Sequence, residues 1–163
     1  MHNKVSIGGM LLAAAMIFSY LEHLIPFEFI APGVKLGLAN CVFLLSLICL
    51  GAKTAFSINI LRILLTVLLF GSPVTLIFSL SGAIFSGVIT VLLFKSKLLS
   101  VSGIGAVSGV AHNIAQLAAA MLVTGSAGVF WYFPVLLISG AVCGFATGVA
   151  ADKISPRINK FLK

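Results

Sequence analysis

Acid is the scarcest chemistry in this sequence: 163 residues carry three carboxylates, Glu22, Glu28 and Asp152, against ten lysines and arginines. Paired aspartates that would hold Mg²⁺ on a diphosphate are therefore missing, as are a Walker-type phosphate loop and any zinc spacing. No Ser, His and Asp set falls at a common depth. These absences argue against a self-contained enzyme or ATPase, so no catalytic residue, metal ligand or cofactor is expected. Cysteine is also sparse: Cys41, Cys49 and Cys143 show no metal or redox spacing and read as buried free thiols. Charge as a whole is low, at 8% of residues.

Apolar residues fill the space instead. At 61% hydrophobic, with a mean hydropathy of +1.25, the chain is too apolar for a water-soluble domain. The net charge of +7 then speaks to topology rather than to nucleic acid. A bilayer requires every backbone polar group to be satisfied internally, and the long continuous runs lack the alternation of a barrel. The sequence predicts an all-α integral membrane protein of about six helices in a single transmembrane domain. Spans are expected near 5–25, 36–51, 55–70, 73–94, 101–124 and 130–151, with a basic tail at 152–163. Lys4 and the run Ala13-Ala14-Ala15 could pass for a cleaved signal. The apolar pattern continues to Ile25, so this stretch reads as the first span. Residues 52–54 are expected to link the short second and third spans, which could also form a tilted or re-entrant pair.

Cations set the orientation. Lys4, Lys53, Lys95, Lys97, Lys153, Arg157, Lys160 and Lys163 fall on one side of a six-span arrangement, and Lys35 falls on the other. By the positive-inside rule both termini are cytoplasmic. Loops 26–35, 71–72 and 125–128 then face out, with Trp131 and Tyr132 at the outer interface. Small residues mark close helix contacts: Gly140, Gly144 and Gly148 on the last span, Gly9 and Ala13 on the first, and Ser81-Gly82 with Ser86-Gly87 on the fourth. Packing within one bundle accounts for them more readily than docking to another subunit.

Polar residues at membrane depth need a reason. Burying an arginine at the centre of a span costs on the order of 3 kcal/mol on insertion scales. Arg62 lies in such a run, with Asn59 one turn away; His112, Asn113 and Gln116 fall at comparable depth in the fifth span. Asn40 enters from the outer end of the second span, and Glu22 closes the first and is a candidate partner for Arg62. These residues suggest one polar pocket from midplane to outside, with Arg62 and Lys35 favouring an anionic group. Structural pairing between Glu22 and Arg62, with the amides cross-linking helices, is the competing explanation. Loop 26–35 reads as a pocket rim or as an interfacial loop anchored by Phe27 and Phe29, and the basic tail as contact with anionic lipid.

Four stretches, Ala31-Pro32-Gly33-Val34-Lys35-Leu36-Gly37-Leu38-Ala39-Asn40, Asn59-Ile60-Leu61-Arg62, Phe78-Ser79-Leu80-Ser81-Gly82 and Gly109-Val110-Ala111-His112-Asn113-Ile114-Ala115-Gln116, resemble the Gx transporter family, also labelled heptaprenyl diphosphate synthase component I. That resemblance implies a bacterial cell-membrane protein similar to the S components of energy-coupling factor transporters. Such components capture a vitamin-like molecule from outside and rely on a transmembrane coupling subunit with two ATPases. The resemblance also implies a docking face on the first helix, which Gly9 and Ala13, with Ala14 and Ala15, match loosely. The expected function is uptake of a small, anionic or cofactor-precursor molecule, with membrane lipid as surroundings and no nucleic-acid partner. The alternative is a non-catalytic membrane partner of a prenyl diphosphate synthase or of a quinone or flavin electron-transfer system. An ion-coupled carrier working alone is a third possibility.

Overall fold

The computed structural model describes residues 2–24 and 37–162. Among them the chain is all helical: α1 His2–Leu24, α2 Leu38–Leu50, α3 Ala52–Phe70, α4 Pro73–Ser96, α5 Val101–Thr124 and α6 Phe133–Leu162, with a 3-10 turn, Ala127–Tyr132, ahead of α6. Five helical segments are long and apolar enough to cross a membrane; α2 is the shorter exception. The outer surface is greasy, with Leu68 81% and Leu122 85% exposed. Side chains of that kind belong against hydrocarbon.

At 13 residues, α2 spans about 20 Å, well short of a bilayer's ~30 Å core. It is apolar on every side and buried on almost every side, with Val42, Phe43, Leu44, Leu45, Ser46 and Leu47 buried in succession. It touches each of the other helices and forms the axis of the bundle. The turn between α2 and α3 is tighter than the 52–54 link expected from sequence. Ala52, Lys53 and Thr54 are helical, and Gly51 alone reverses the chain at φ 90° and ψ 169°. Only glycine tolerates that backbone without strain. Its N–H lies 3.2 Å from the carbonyls of both Ser46 and Leu47, closing the end of α2.

Small residues bring α5 and α6 together. A Cβ added at Gly148 would lie 2.7 Å from the Cα of Ser102, and one at Gly144 or Gly109 would collide with the carbonyl oxygen of Gly105 or Gly140 respectively. The stripe Gly140, Gly144 and Gly148 is thus spent inside the bundle, where only glycine lets two backbones approach. Gly9 and Ala13, in contrast, lie exposed on α1.

Helix α6 runs on through the basic stretch to Leu162. Pro156 deprives the Asp152 carbonyl of its helical donor, and the Ser155 hydroxyl donates to that carbonyl at 3.3 Å instead. Asn3 Nδ2 donates to the Phe161 carbonyl at 3.3 Å, so the start of α1 and the end of α6 lie at the same end of the bundle.

Candidate functional site

Helix periodicity puts Asn59 and Arg62 on the buried face of α3, with Ala55, Ile58 and Ile63. Arg62 Nη2 donates to Asn59 Oδ1 at 2.8 Å and Nη1 donates to Ser19 Oγ at 3.2 Å. Among the described residues its buried Nε–H has no acceptor, and both acceptors of its other nitrogens are neutral. Glu22, one turn beyond Ser19 on the same face of α1, attracts the guanidinium through space. The carboxylate also bonds away from the guanidinium: Glu22 Oε1 accepts from the Leu38 N–H at 2.7 Å. That N–H is the first donor of α2, which has no intrahelical acceptor and sits at the positive end of the helix dipole.

A second polar layer joins α4 to α5. His112 packs flat enough against α4 that a Cβ at Gly82 would come within 2.8 Å of its Cε1. Its Nδ1 lies 3.4 Å from Ser86 Oγ. One turn along, Thr90 Oγ1 is 2.7 Å from the Ser86 carbonyl and 2.8 Å from Ser108 Oγ, bridging the two helices. Asn113 points the other way and donates from Nδ2 to the Leu136 carbonyl of α6 at 2.7 Å. Gln116 is buried beside Gly82, with its Cγ 3.0 Å from where a Cβ would stand.

At the start of α2, against α5 and α6, lies a cavity of about 10 Å³, room for roughly one water. Its polar side chains are Asn40, His112, Asn113 and Cys143. The remaining wall is glycine backbone, from Gly37, Gly109, Gly140 and Gly144. Gly37 holds the left-handed conformation, φ 69° and ψ 24°, that turns the chain into α2 beside the Asn40 amide.

The structure therefore divides the pocket read from the sequence. Asn40, His112 and Asn113 share the cavity; Gln116 lies against α4; Asn59 and Arg62 belong to the α1–α3 layer. Helices α3 and α5 do not touch among the described residues, because α2 and α4 stand between them. Lys35 and the loop 26–35 lie outside the described residues. Glu22 joins the α1–α3 layer to the cavity along the chain: it lies one turn from Ser19, which bonds Arg62, and it holds the N–H of Leu38, the neighbour of the cavity's Gly37. Sequence reading missed Ser19, Ser86, Thr90, Ser108 and Cys143 as members of these layers. The i, i+4 pair Ser86 and Thr90 was the available signal. No group of three or more His, Cys, Asp or Glu that could hold a metal ion occurs among the described residues.

These features define an all-helical membrane protein with a buried, charged polar core around a short central helix. Residues 11–154 match the family described as heptaprenyl diphosphate synthase component I, and the chain belongs to that family. No curated protein and no solved structure matches it.

Proposed function

We propose that this chain is a membrane substrate-binding subunit, similar to the S components of energy-coupling factor transporters, that captures a small anionic molecule for uptake. The observation that carries this reading is Arg62: a permanent cation, held in the bundle by two neutral acceptors, with its buried Nε–H unbonded among the described residues. A purely structural arginine in a membrane would be expected to have its charge met by a hydrogen-bonded carboxylate and its buried donors all bonded. The nearby cavity adds amide and imidazole groups from Asn40, Asn113 and His112 that suit oriented hydrogen bonding. Its size means that a cofactor-sized molecule enters only if α2 and its neighbours move apart, since such sites measure roughly 300 Å³ or more.

In this reading both termini face the cytoplasm, in keeping with the shared end of α1 and α6 and with the lysine pattern. The exposed small face at Gly9 and Ala13 is available to a transmembrane coupling subunit with ATPases. The family's description supports a second reading, a non-catalytic membrane partner of a prenyl diphosphate synthase. Mass spectrometry of small molecules released from the purified chain separates the two when Arg62→Ala is washed in parallel. A compound enriched in the parent and lost in the variant supports capture. Release of nothing, together with stable co-purification of a soluble prenyl synthase, would overturn it.

A further inference from the structure

The first turn of α2 and Arg62 form two halves of an anion seat, and the chain's own Glu22 stands between them. The Leu38 N–H already holds a carboxylate oxygen at 2.7 Å, where both its missing acceptor and the helix dipole favour negative charge. Arg62 faces the same carboxylate electrostatically while its Nε–H has no acceptor. A guanidinium is built to take carboxylate or phosphate oxygens through adjacent donors. Here it takes a serine hydroxyl and an asparagine amide instead. Leu38 follows Gly37, which lines the cavity with Asn40, so this seat adjoins the space bounded by His112 and Asn113.

We infer that an anionic oxygen group of the substrate, carboxylate or phosphate, binds between the α2 N-terminus and Arg62, and that Glu22 is the internal competitor it must displace. The inference rests on the uptake reading and names the chemical class and first contact of its substrate. Competition of this kind keeps the seat neutralised within the low-dielectric bundle and makes binding sensitive to the charge, not only the size, of residue 22. A purely structural cap predicts the opposite. Removing the Glu22 charge would then weaken the bundle and leave anion binding unimproved.

The test is a thermal-melting titration of the full chain in uncharged detergent. Inorganic phosphate and acetate are the probes, at ionic strength held constant with chloride. Parent, Glu22→Gln and Arg62→Gln are compared; glutamine at 22 keeps an oxygen for the Leu38 N–H. Glu22→Gln should show saturable stabilisation at about tenfold lower probe concentration than the parent, the loss of one charge-assisted competitor. Arg62→Gln should show no saturation. If that variant does not fold, Arg62→Lys, which keeps the charge and loses the fork, should need at least about fivefold more probe than the parent. Stronger saturation by phosphate assigns a phosphate-bearing substrate, and by acetate a carboxylate. An unchanged or weaker response in Glu22→Gln, or full saturation in either Arg62 variant, overturns the seat. A neutral compound released from the purified chain, with flat titrations, would end the anion seat while leaving capture intact.

Discussion

The two flanks of α2 handle buried polarity in opposite ways. On the side of α4, α5 and α6 uncharged groups pair with one another, Asn113 with the Leu136 carbonyl and Thr90 with Ser86 and Ser108, and glycines close the remaining space. On the α1–α3 side a full cation keeps a buried Nε–H unbonded among the described residues, and the carboxylate that attracts it is bonded to a helix end. The first flank gains packing from its sequence; the second keeps a costly group that packing alone does not require. On the proposed uptake reading, the difference separates residues that mainly hold the bundle together from a charge kept for the ligand.

The largest effect should come from the packed flank. Gly144→Leu places a side chain where even a Cβ collides with the Gly105 carbonyl, a backbone atom that cannot swing aside. The helices must part, and overpacking of this kind costs about 3 kcal/mol or more. Its expected outcome is loss of a folded, monodisperse species on size-exclusion chromatography in mild detergent. A well-folded variant with an unchanged melting temperature would show that the α5–α6 contact is not the structural half of the comparison.

Much of this architecture is legible in the residues themselves. Spans near 73–94 and 101–124 correspond to α4 and α5, Pro73–Ser96 and Val101–Thr124, because Ser72-Pro73 and Ser100 are strong helix starts and the runs between are uniformly apolar. Arg62, His112 and Asn113 stand out because hydrocarbon gives polar side chains no reason to be there. Helix order around the axis is what local pattern does not encode. Nothing in the runs around Arg62 and His112 says that α2 and α4 separate them. Nor does the position of Glu22 at the end of α1 reveal that it reaches the first N–H of α2. The i, i+4 spacing of Ser86 and Thr90 is a weak signal for a related reason, since serine and threonine in helices often bond their own backbone, as Thr90 also does to the Ser86 carbonyl.

The second effect sharpens the contrast on the charged flank. Replacing both charges, Glu22→Gln with Arg62→Leu, removes an expensive cation and the carboxylate facing it in one step. Neutral replacement of buried charges is often harmless or stabilising, whereas removing Arg62 alone leaves the half-buried Glu22 carboxylate without the cation that attracts it, at a cost of about 1–3 kcal/mol. The double variant should therefore keep a melting temperature within a few degrees of the parent, while Arg62→Leu alone falls well below it. Capture of the anionic ligand should drop on the order of a hundredfold in both, the loss of charge-assisted bonds worth about 1.5–3 kcal/mol. A double variant that binds like the parent would make this flank as structural as the other.

The smallest effect tests whether every unspent polar group in the bundle implies a ligand. Ser46 is fully buried in the middle of α2 and its Oγ has no hydrogen-bond partner among the described residues, the same formal defect as Arg62 Nε. The two differ in their surroundings. Ser46 lies between Leu45 and Leu47 in the apolar core, whereas Arg62 sits among Ser19 and Asn59 with Glu22 attracting it. An unpaired hydroxyl in an apolar site costs about 1–3 kcal/mol, and deleting it recovers part of that. Ser46→Ala should raise stability by about 1 kcal/mol, seen as a small upward shift in melting temperature, and leave ligand capture unchanged. If it lowers capture, the polar core extends down the axis of α2, and the division between a packed flank and a binding flank must be redrawn around the central helix.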